Sequence, residues 1–287
     1  MPESQPQSSS ERVSIPEQAS TSRPAFARAI DAQRVDVERW TAHVDESWRV
    51  LRGPNGGYLA ALLLETMTRR LDDRQRRARV LSLHYPKVPS SGPVEIRTAV
   101  TRSGRSMSWL SAELWQNAEL CVAARAAFSS DWPGVEFDRH VRPEIAAPEA
   151  GQILTEGLPP FTRHFQYRSL FATPLARNGA DAVGGYIRLR EPQAYAEPLL
   201  AAVADAWFPA TFAFDRRPVM GATLDLTVHF RDHAALDALD PADYVVSIFR
   251  SRLASEGFFE EDGEIWSRDG RLLAQSRQLA IATPYAR

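Results

Sequence analysis

Asp205 is the residue most able to do chemistry in this chain, because it interrupts the apolar stretch Leu199-Leu-Ala-Ala-Val-Ala and Ala206-Trp-Phe. Burying an ionised carboxylate without partners costs several kcal/mol, so Asp205 must either lie on a narrow exposed stripe or meet hydrogen-bond donors or water. Asn55-Gly56-Gly57 is a second candidate, since it opens the apolar stretch Tyr58-Leu-Ala-Ala-Leu-Leu-Leu64. A helix start there leaves free N–H groups at a positive end, where a carbonyl could develop negative charge, and two glycines let a ligand approach the backbone. The same residues could equally be a tight turn with a helix cap.

Other reactive types carry less. Cys121 sits among Leu120, Val122 and Ala123 and reads as a small buried hydrophobe. His229 and His233 are four apart, but on a strand running into a loop, so helical geometry does not bring their rings to one face and no metal site is expected. The chain has no Gly-x-Ser-x-Gly elbow, phosphate-binding glycine loop or dinucleotide fingerprint.

The elements that must position these residues are written twice. An apolar helix precedes a run of alternating strands in residues 53–128, and again in residues 196–282. Placing Trp115 on Trp266 brings Ala123 onto Ala274, as two copies of one supersecondary unit would. The first helix, expected over 58–71, lacks a polar face for two turns, so a sheet must wrap it. The second is expected over 197–208, with Pro198 in its first turn and Pro209 closing it. Around Trp40 and Trp48, residues 26–50 read as a first hairpin with Asp45-Glu-Ser as its turn. Four strands are expected over 80–85, 94–102, 106–116 and 120–128, and six more over 165–171, 184–189, 224–231, 244–253, 257–267 and 271–281.

The 287 residues suffice for two cores, which agrees with the repeat. A net charge of -2 gives no reason to expect nucleic acid or an anionic membrane as partner. Of the 34 basic residues only Lys87 is lysine, which carries no functional weight. One cysteine excludes an internal disulfide and fits a reducing compartment. No apolar run is long enough to span a bilayer and no signal-peptide pattern opens the chain, so the expected location is cytoplasmic. Residues 1–24, rich in Ser, Gln and Pro, are expected to be a disordered tail. Five prolines between 132 and 162, without sustained periodicity, read as a linker.

These phrases in their order, with Asp205-Ala-Trp-Phe-Pro, Ala222-Thr-Leu-Asp-Leu-Thr-Val-His-Phe230 and Leu273-Ala-Gln-Ser-Arg-Gln278, resemble the double-hotdog type II acyl-CoA thioesterases from residue 26 to the end. The resemblance implies an α+β double hotdog: two antiparallel sheets, each wrapped around a central buried helix, in domains 25–131 and 163–287. It implies hydrolysis of a fatty or other acyl-CoA by an activated water, held by Asp205 as base and by Thr223 and Gln278 as orienting groups. Asn55, Gly56 and Gly57 would belong to an acyl or CoA site. No metal, prosthetic group or other cofactor is implied, and a further homo-oligomer is compatible.

With Trp115 on Trp266, Gln278 falls on Ala127; with His84 on His229, Thr223 falls on Ala78. One hydrolytic site per chain is therefore expected. Two other classes stay open: a hotdog protein that binds acyl-CoA or acyl-carrier groups without hydrolysis, and a hotdog hydratase or dehydratase. The last needs a catalytic His and Asp pair, yet no histidine falls on either expected central helix.

Overall fold

The computed structural model describes residues 23–141, 143–144, 146–154, 158–171, 182–214 and 219–284. The expected tail, apart from Arg23 and Pro24, lies outside them. In chain order the first half contains α1 (Ala25–Ala29), β1 (Gln33–Arg34), β2 (Arg39–Val44), α2 (Gly56–Leu71), β3 (Arg77–His84), β4 (Gly92–Ser103), β5 (Met107–Gln116) and β6 (Glu119–Ser129). The remainder contains β7 (Gln152–Ile153), β8 (Phe165–Ser169), β9 (Val183–Leu189), α3 (Glu197–Val203), α4 (Thr211–Phe214), β10 (Val219–Phe230), α5 (His233–Asp237), β11 (Val245–Arg250), β12 (Ala254–Ser255), β13 (Phe258–Trp266) and β14 (Leu272–Pro284).

The sheets of the two halves meet edge to edge, and the described residues form one continuous 14-stranded antiparallel sheet in the order β1-β2-β4-β5-β6-β3-β10-β14-β13-β11-β9-β8-β7, with β12 beside β13. The halves join where β3 pairs with β10, from Asp225 opposite His84 to His229 opposite Val80. Leaving those two edges unpaired would expose two rows of backbone donors and acceptors, and joining them satisfies both.

Helix α2 forms because Asn55 caps it, its Oδ1 accepting the Tyr58 N–H at 2.8 Å, and because Leu and Ala fill its interior. Residues 57–64 are all buried, as their unbroken apolar character requires. Helix α3 ends five residues earlier than expected. After Val203 the chain tightens, Asp205 N–H donating to Ala202 O and Ala206 N–H to Val203 O, and Phe208 precedes a proline that disfavours the helical region. Asp205 therefore lies in the turn that follows the helix rather than inside it.

Residues 26–50 also differ from the expected hairpin. Phe26, Ala29 and Ile30 follow an i, i+3, i+4 spacing, so the segment opens with the short helix α1, and Trp48 closes a single 3-10 turn capped by Asp45. Within the segment expected to be a linker, β7 pairs with β8 and extends the edge of the sheet.

A bulge sits at corresponding places in the two halves, between Ala78 and Val80 in the β3–β6 pair and between Thr223 and Asp225 in the β10–β14 pair. Superposing the bulges sets Thr223 on Ala78, as the sequence suggested, but Gln278 on Ala126 rather than Ala127. The slip arises at the hairpin tips. Trp115 pairs with Leu120 across Asn117-Ala118, whereas Trp266 pairs with Leu272 across a turn one residue longer.

Candidate active site

The expected site residues meet where the start of α2 faces the turn after α3. Helix approach is close there: a Cβ on Gly57 would stand 2.7 Å from Ala202 O and 2.9 Å from Asp205 Cβ. Only glycine fits. The contact sets the positive N-terminus of α2 against the carboxylate and the carbonyl-rich end of α3.

Asp205 meets the donors that its burial demands. Its Oδ2 accepts the Gly57 N–H at 2.9 Å and the Asn55 Nδ2 at 3.1 Å, and the same Asn55 amide donates to the Asp205 carbonyl at 2.7 Å. The Gly57 N–H expected to face a substrate carbonyl is thus engaged by a carboxylate of the chain itself. Asn55 is likewise committed, capping α2 with one end of its amide and holding Asp205 with the other. Burial pushes the Asp205 carboxyl up to about 6, against the lowering effect of the Gly57 and Gly56 N–H groups and the Asn55 amide. A carboxylate at this value is ionised near neutral pH and basic enough to take a proton. Tyr85, at the end of β3, donates its hydroxyl to Gly56 O at 2.9 Å and closes the side of this turn.

Thr223 and Gln278 come together from neighbouring strands. Thr223 Oγ1 donates to Gln278 Oε1 at 3.1 Å, next to the bulge in β10. The bulge matters because it shifts the register by one, placing Gln278 opposite Leu226 and Thr223 opposite Ala280. No direct hydrogen bond joins this pair to the Asp205 carboxylate. All three instead line one cavity of about 530 Å³, together with Asn55 and Gly56. Its wall is mainly apolar and aromatic, including Leu59, Tyr167, Trp207, Phe208, Phe212 and Phe259, while Arg52 and Lys87 also border it. Such a cleft suits an apolar chain with a polar reacting group near Asp205.

One buried carboxylate escaped the sequence reading. Glu261 is 4% exposed; its Oε1 accepts the Gln278 Nε2 at 2.8 Å and its Oε2 accepts the Ala210 N–H at 2.6 Å. Burial pushes it up to about 7, and the nearby charge of Asp205 adds to the rise. The signal was present in the alternation of β13, where Phe259, Glu261, Gly263 and Ile265 share the buried face.

Of the other reactive types, Cys121 is buried and its thiol contacts Glu119 O. His233 is held in a charged cluster: Nδ1 meets Arg79 at 2.9 Å, while Nε2 lies 3.0 Å from Ala78 O and 3.2 Å from Glu197. Among the described residues no group of three or more His, Cys, Asp or Glu side chains is set to hold a metal. No helix among them is long and apolar enough to cross a membrane.

A continuous antiparallel sheet around buried helices, with a site between its halves, defines a hotdog-type protein. A solved structure from Alicyclobacillus acidocaldarius, described as a conserved protein of unknown function with hot dog fold, matches with a TM-score of 0.83 and 22% identity over 91% of this chain and 99% of that one. A candidate thioesterase II from Thermobifida fusca YX matches with a TM-score of 0.77 and 24% identity over 91% of this chain and 98% of that one. In sequence, residues 44–129 match the acyl-CoA thioesterase N-terminal domain and residues 138–282 the acyl-CoA thioesterase C-terminal domain. The chain belongs to this acyl-CoA thioesterase family. It is also 28% identical over 99 residues to the thioesterase-like protein TwmA of Talaromyces wortmannii, a stretch covering 34% of this chain and 28% of that curated relative.

Proposed function

We propose that this protein hydrolyses an acyl-CoA thioester, using Asp205 as base and Thr223 and Gln278 to orient the attacking water. The observation that carries this reading is the placement of a half-buried carboxylate of raised basicity and a hydroxyl–amide pair around one apolar cavity. Membership of the acyl-CoA thioesterase family supports the substrate class.

Water is a weak nucleophile until it is oriented and loses a proton as it attacks. In the proposed step the water oxygen bonds to the thioester carbonyl carbon while one of its protons passes to Asp205. The carbonyl π pair moves onto oxygen, giving a tetrahedral oxyanion. Collapse of that species breaks the carbon–sulfur bond, and the departing thiolate takes up the proton held by Asp205. The products are the free acid and the thiol of CoA. The acyl chain occupies the apolar wall near Leu59, Trp207 and Phe259. Gly56, Gly57 and Asn55 act here by holding Asp205 rather than by holding the carbonyl.

Single-turnover thiol release from saturating acyl-CoA tests the reading. Asp205→Asn keeps the shape and still accepts the Gly57 N–H, and the expected loss is about two to four orders of magnitude, as for removal of a general base. Cys121→Ala is expected to turn over at the wild-type rate. A near-wild-type rate in Asp205→Asn would remove the catalytic assignment and favour a protein that binds acyl-CoA without cleaving it.

A further inference from the structure

The amide of Gln278 can serve the attacking water in only one of its two orientations, and a group outside the expected set selects that orientation. We propose that Glu261 is a positioning residue, fixing Gln278 so that the amide oxygen, and not the NH2 group, points toward Thr223 and the cavity. The inference rests on the thioesterase reading above and names a further determinant of the same site.

The donors and acceptors around Gln278 allow only one orientation of its amide. Glu261 offers two acceptor oxygens and, when ionised, no donor. One oxygen takes the Ala210 N–H at 2.6 Å and the other takes the Gln278 Nε2 at 2.8 Å. The backbone donor cannot reverse, and above about pH 7, where the Glu261 carboxyl is ionised, it can accept only from the NH2 side of Gln278. Its Oε1 is therefore turned to Thr223, which donates to it at 3.1 Å. A water between this oxygen and Asp205 then meets two acceptors, gives one proton to each hydrogen bond, and keeps a lone pair free for the carbonyl carbon. With the amide reversed, NH2 would face the cavity, compete for that lone pair, and oppose the Thr223 hydroxyl proton.

Burying a carboxylate behind an amide is expensive, and position 261 shows that packing alone did not ask for one. The corresponding residue in the first half, set by its cross-strand partner Ala126, is Leu110, fully buried and apolar. The half that keeps Gln278 keeps an acid behind it, and the half with alanine there has leucine.

Glu261→Gln tests the proposal because it preserves volume while changing the inventory. Its single carbonyl is claimed by the Ala210 N–H, so its NH2 must donate to Gln278 and reverse that amide. We expect kcat to fall about 10- to 100-fold with little change in KM or in affinity for a non-hydrolysable thioether analogue of acyl-CoA. The swap E261Q/Q278E then restores an acceptor: the amide moved to position 261 donates to the carboxylate moved to position 278, whose second oxygen faces Thr223 and the water. Recovery of most of the lost kcat in the swap supports positioning, since a purely packing role would not be rescued by exchanging the pair. A wild-type kcat in the single variant, or a folded swap no faster than the single variant, overturns the proposal. If the single variant does not fold, the swap decides, activity supporting the proposal and a folded but inert protein opposing it; failure of both to fold assigns the pair to the core and also overturns it. Failure of the thioesterase reading is separate, because the wild-type protein would then release no thiol at all.

Discussion

Asp205 and Gly57 are joined by a 2.9 Å hydrogen bond from the backbone N–H to Oδ2, and that bond ties the start of one central helix to the end of the other. The glycine is required by space. With a Cβ 2.7 Å from Ala202 O and 2.9 Å from Asp205 Cβ, Gly57→Ala forces α2 and the Asp205 turn apart. The expected cost is about 1–3 kcal/mol of stability, as for other overpacked contacts, together with a fall in kcat larger than stability alone explains. Thermal melting and thiol release measured on the same preparation check this, and unchanged turnover would show that the bond does not position the base.

Asn55→Ala removes an α2 cap and two bonds to Asp205 in one step. Loss of a cap alone costs about 1 kcal/mol. Activity is expected to suffer beyond that, because the carboxylate loses a side-chain donor that lowers its basicity and fixes its direction. Comparing the pH–rate profiles of wild type and Asn55→Ala separates the effects: the acid limb moves to higher pH in the variant if Asn55 acts on Asp205, and stays in place if it is only a cap.

The pH dependence of rate and of stability should run in opposite directions. As a base, Asp205 must be ionised, so kcat/KM rises with pH through a limb near 6, where burial has pushed its carboxyl. Both Asp205 and Glu261, the latter pushed up to about 7, sit above their ordinary values of 3.8 and 4.5. Between about pH 4 and pH 7 the folded protein therefore holds protons that the unfolded chain has released, so their contribution to stability is full at low pH and is lost as pH rises through 6 and 7. Because the two charges interact, titration belongs to the pair. Asp205→Asn is expected to stabilise the fold above pH 7 by on the order of 1–3 kcal/mol while abolishing the limb, which denaturant melts at pH 5 and pH 8 would reveal.

How much of this was legible in the sequence varies with the physics behind each residue. Asp205 stood out because a charge inside Leu and Ala demands partners, and Asn55-Gly56-Gly57 because a glycine helix start leaves N–H groups free and lets a ligand approach the backbone. That these two features are each other's partners depends on packing between segments 148 residues apart, measured from Gly57 to Asp205, which no local pattern encodes. Glu261 was hidden by its company, since Glu260-Glu261-Asp262-Gly263 reads as a solvated acidic run until strand alternation is followed. The end of α3 was misplaced because Ala206, Trp207 and Phe208 keep the apolar character of a helix after its hydrogen bonding has already tightened.

Trp48 illustrates a different hidden relationship. It stacks on His164 at 4.1 Å between ring centroids and on Tyr58 at 5.0 Å, with Phe165 edge-on at 5.9 Å, so one indole bridges the first half and the strand that opens the second. Trp48→Ala is expected to cost about 3–5 kcal/mol, in the range of large aromatic truncations in cores. The check is a denaturant midpoint that shifts with the slope retained.

One hydrolytic site per chain is expected from the difference between the two halves. By the matched bulges the first half carries Ala78, Ala126 and Leu110 where the second carries Thr223, Gln278 and Glu261. The same matching sets Ala222, which lines the cavity, on Arg77, whose guanidinium is held by Glu197 at 2.7 Å and by Asp237 at 2.8 Å. Despite its burial, Glu197 is held down to about 2 by His233 and Arg77, which marks an ion pair built for the fold rather than a base awaiting a proton. The first half thus lacks a hydroxyl and an amide at the places of Thr223 and Gln278, and has an arginine where the second half leaves space. Titration with a non-hydrolysable thioether analogue should reach one equivalent per chain. Arg77→Ala, which leaves Glu197 with a diminished partnership, should lower the melting temperature and leave kcat close to wild type. Two equivalents bound with similar affinity, or a loss of turnover in Arg77→Ala that exceeds its loss of folded protein, would show that the first half also takes part in the reaction.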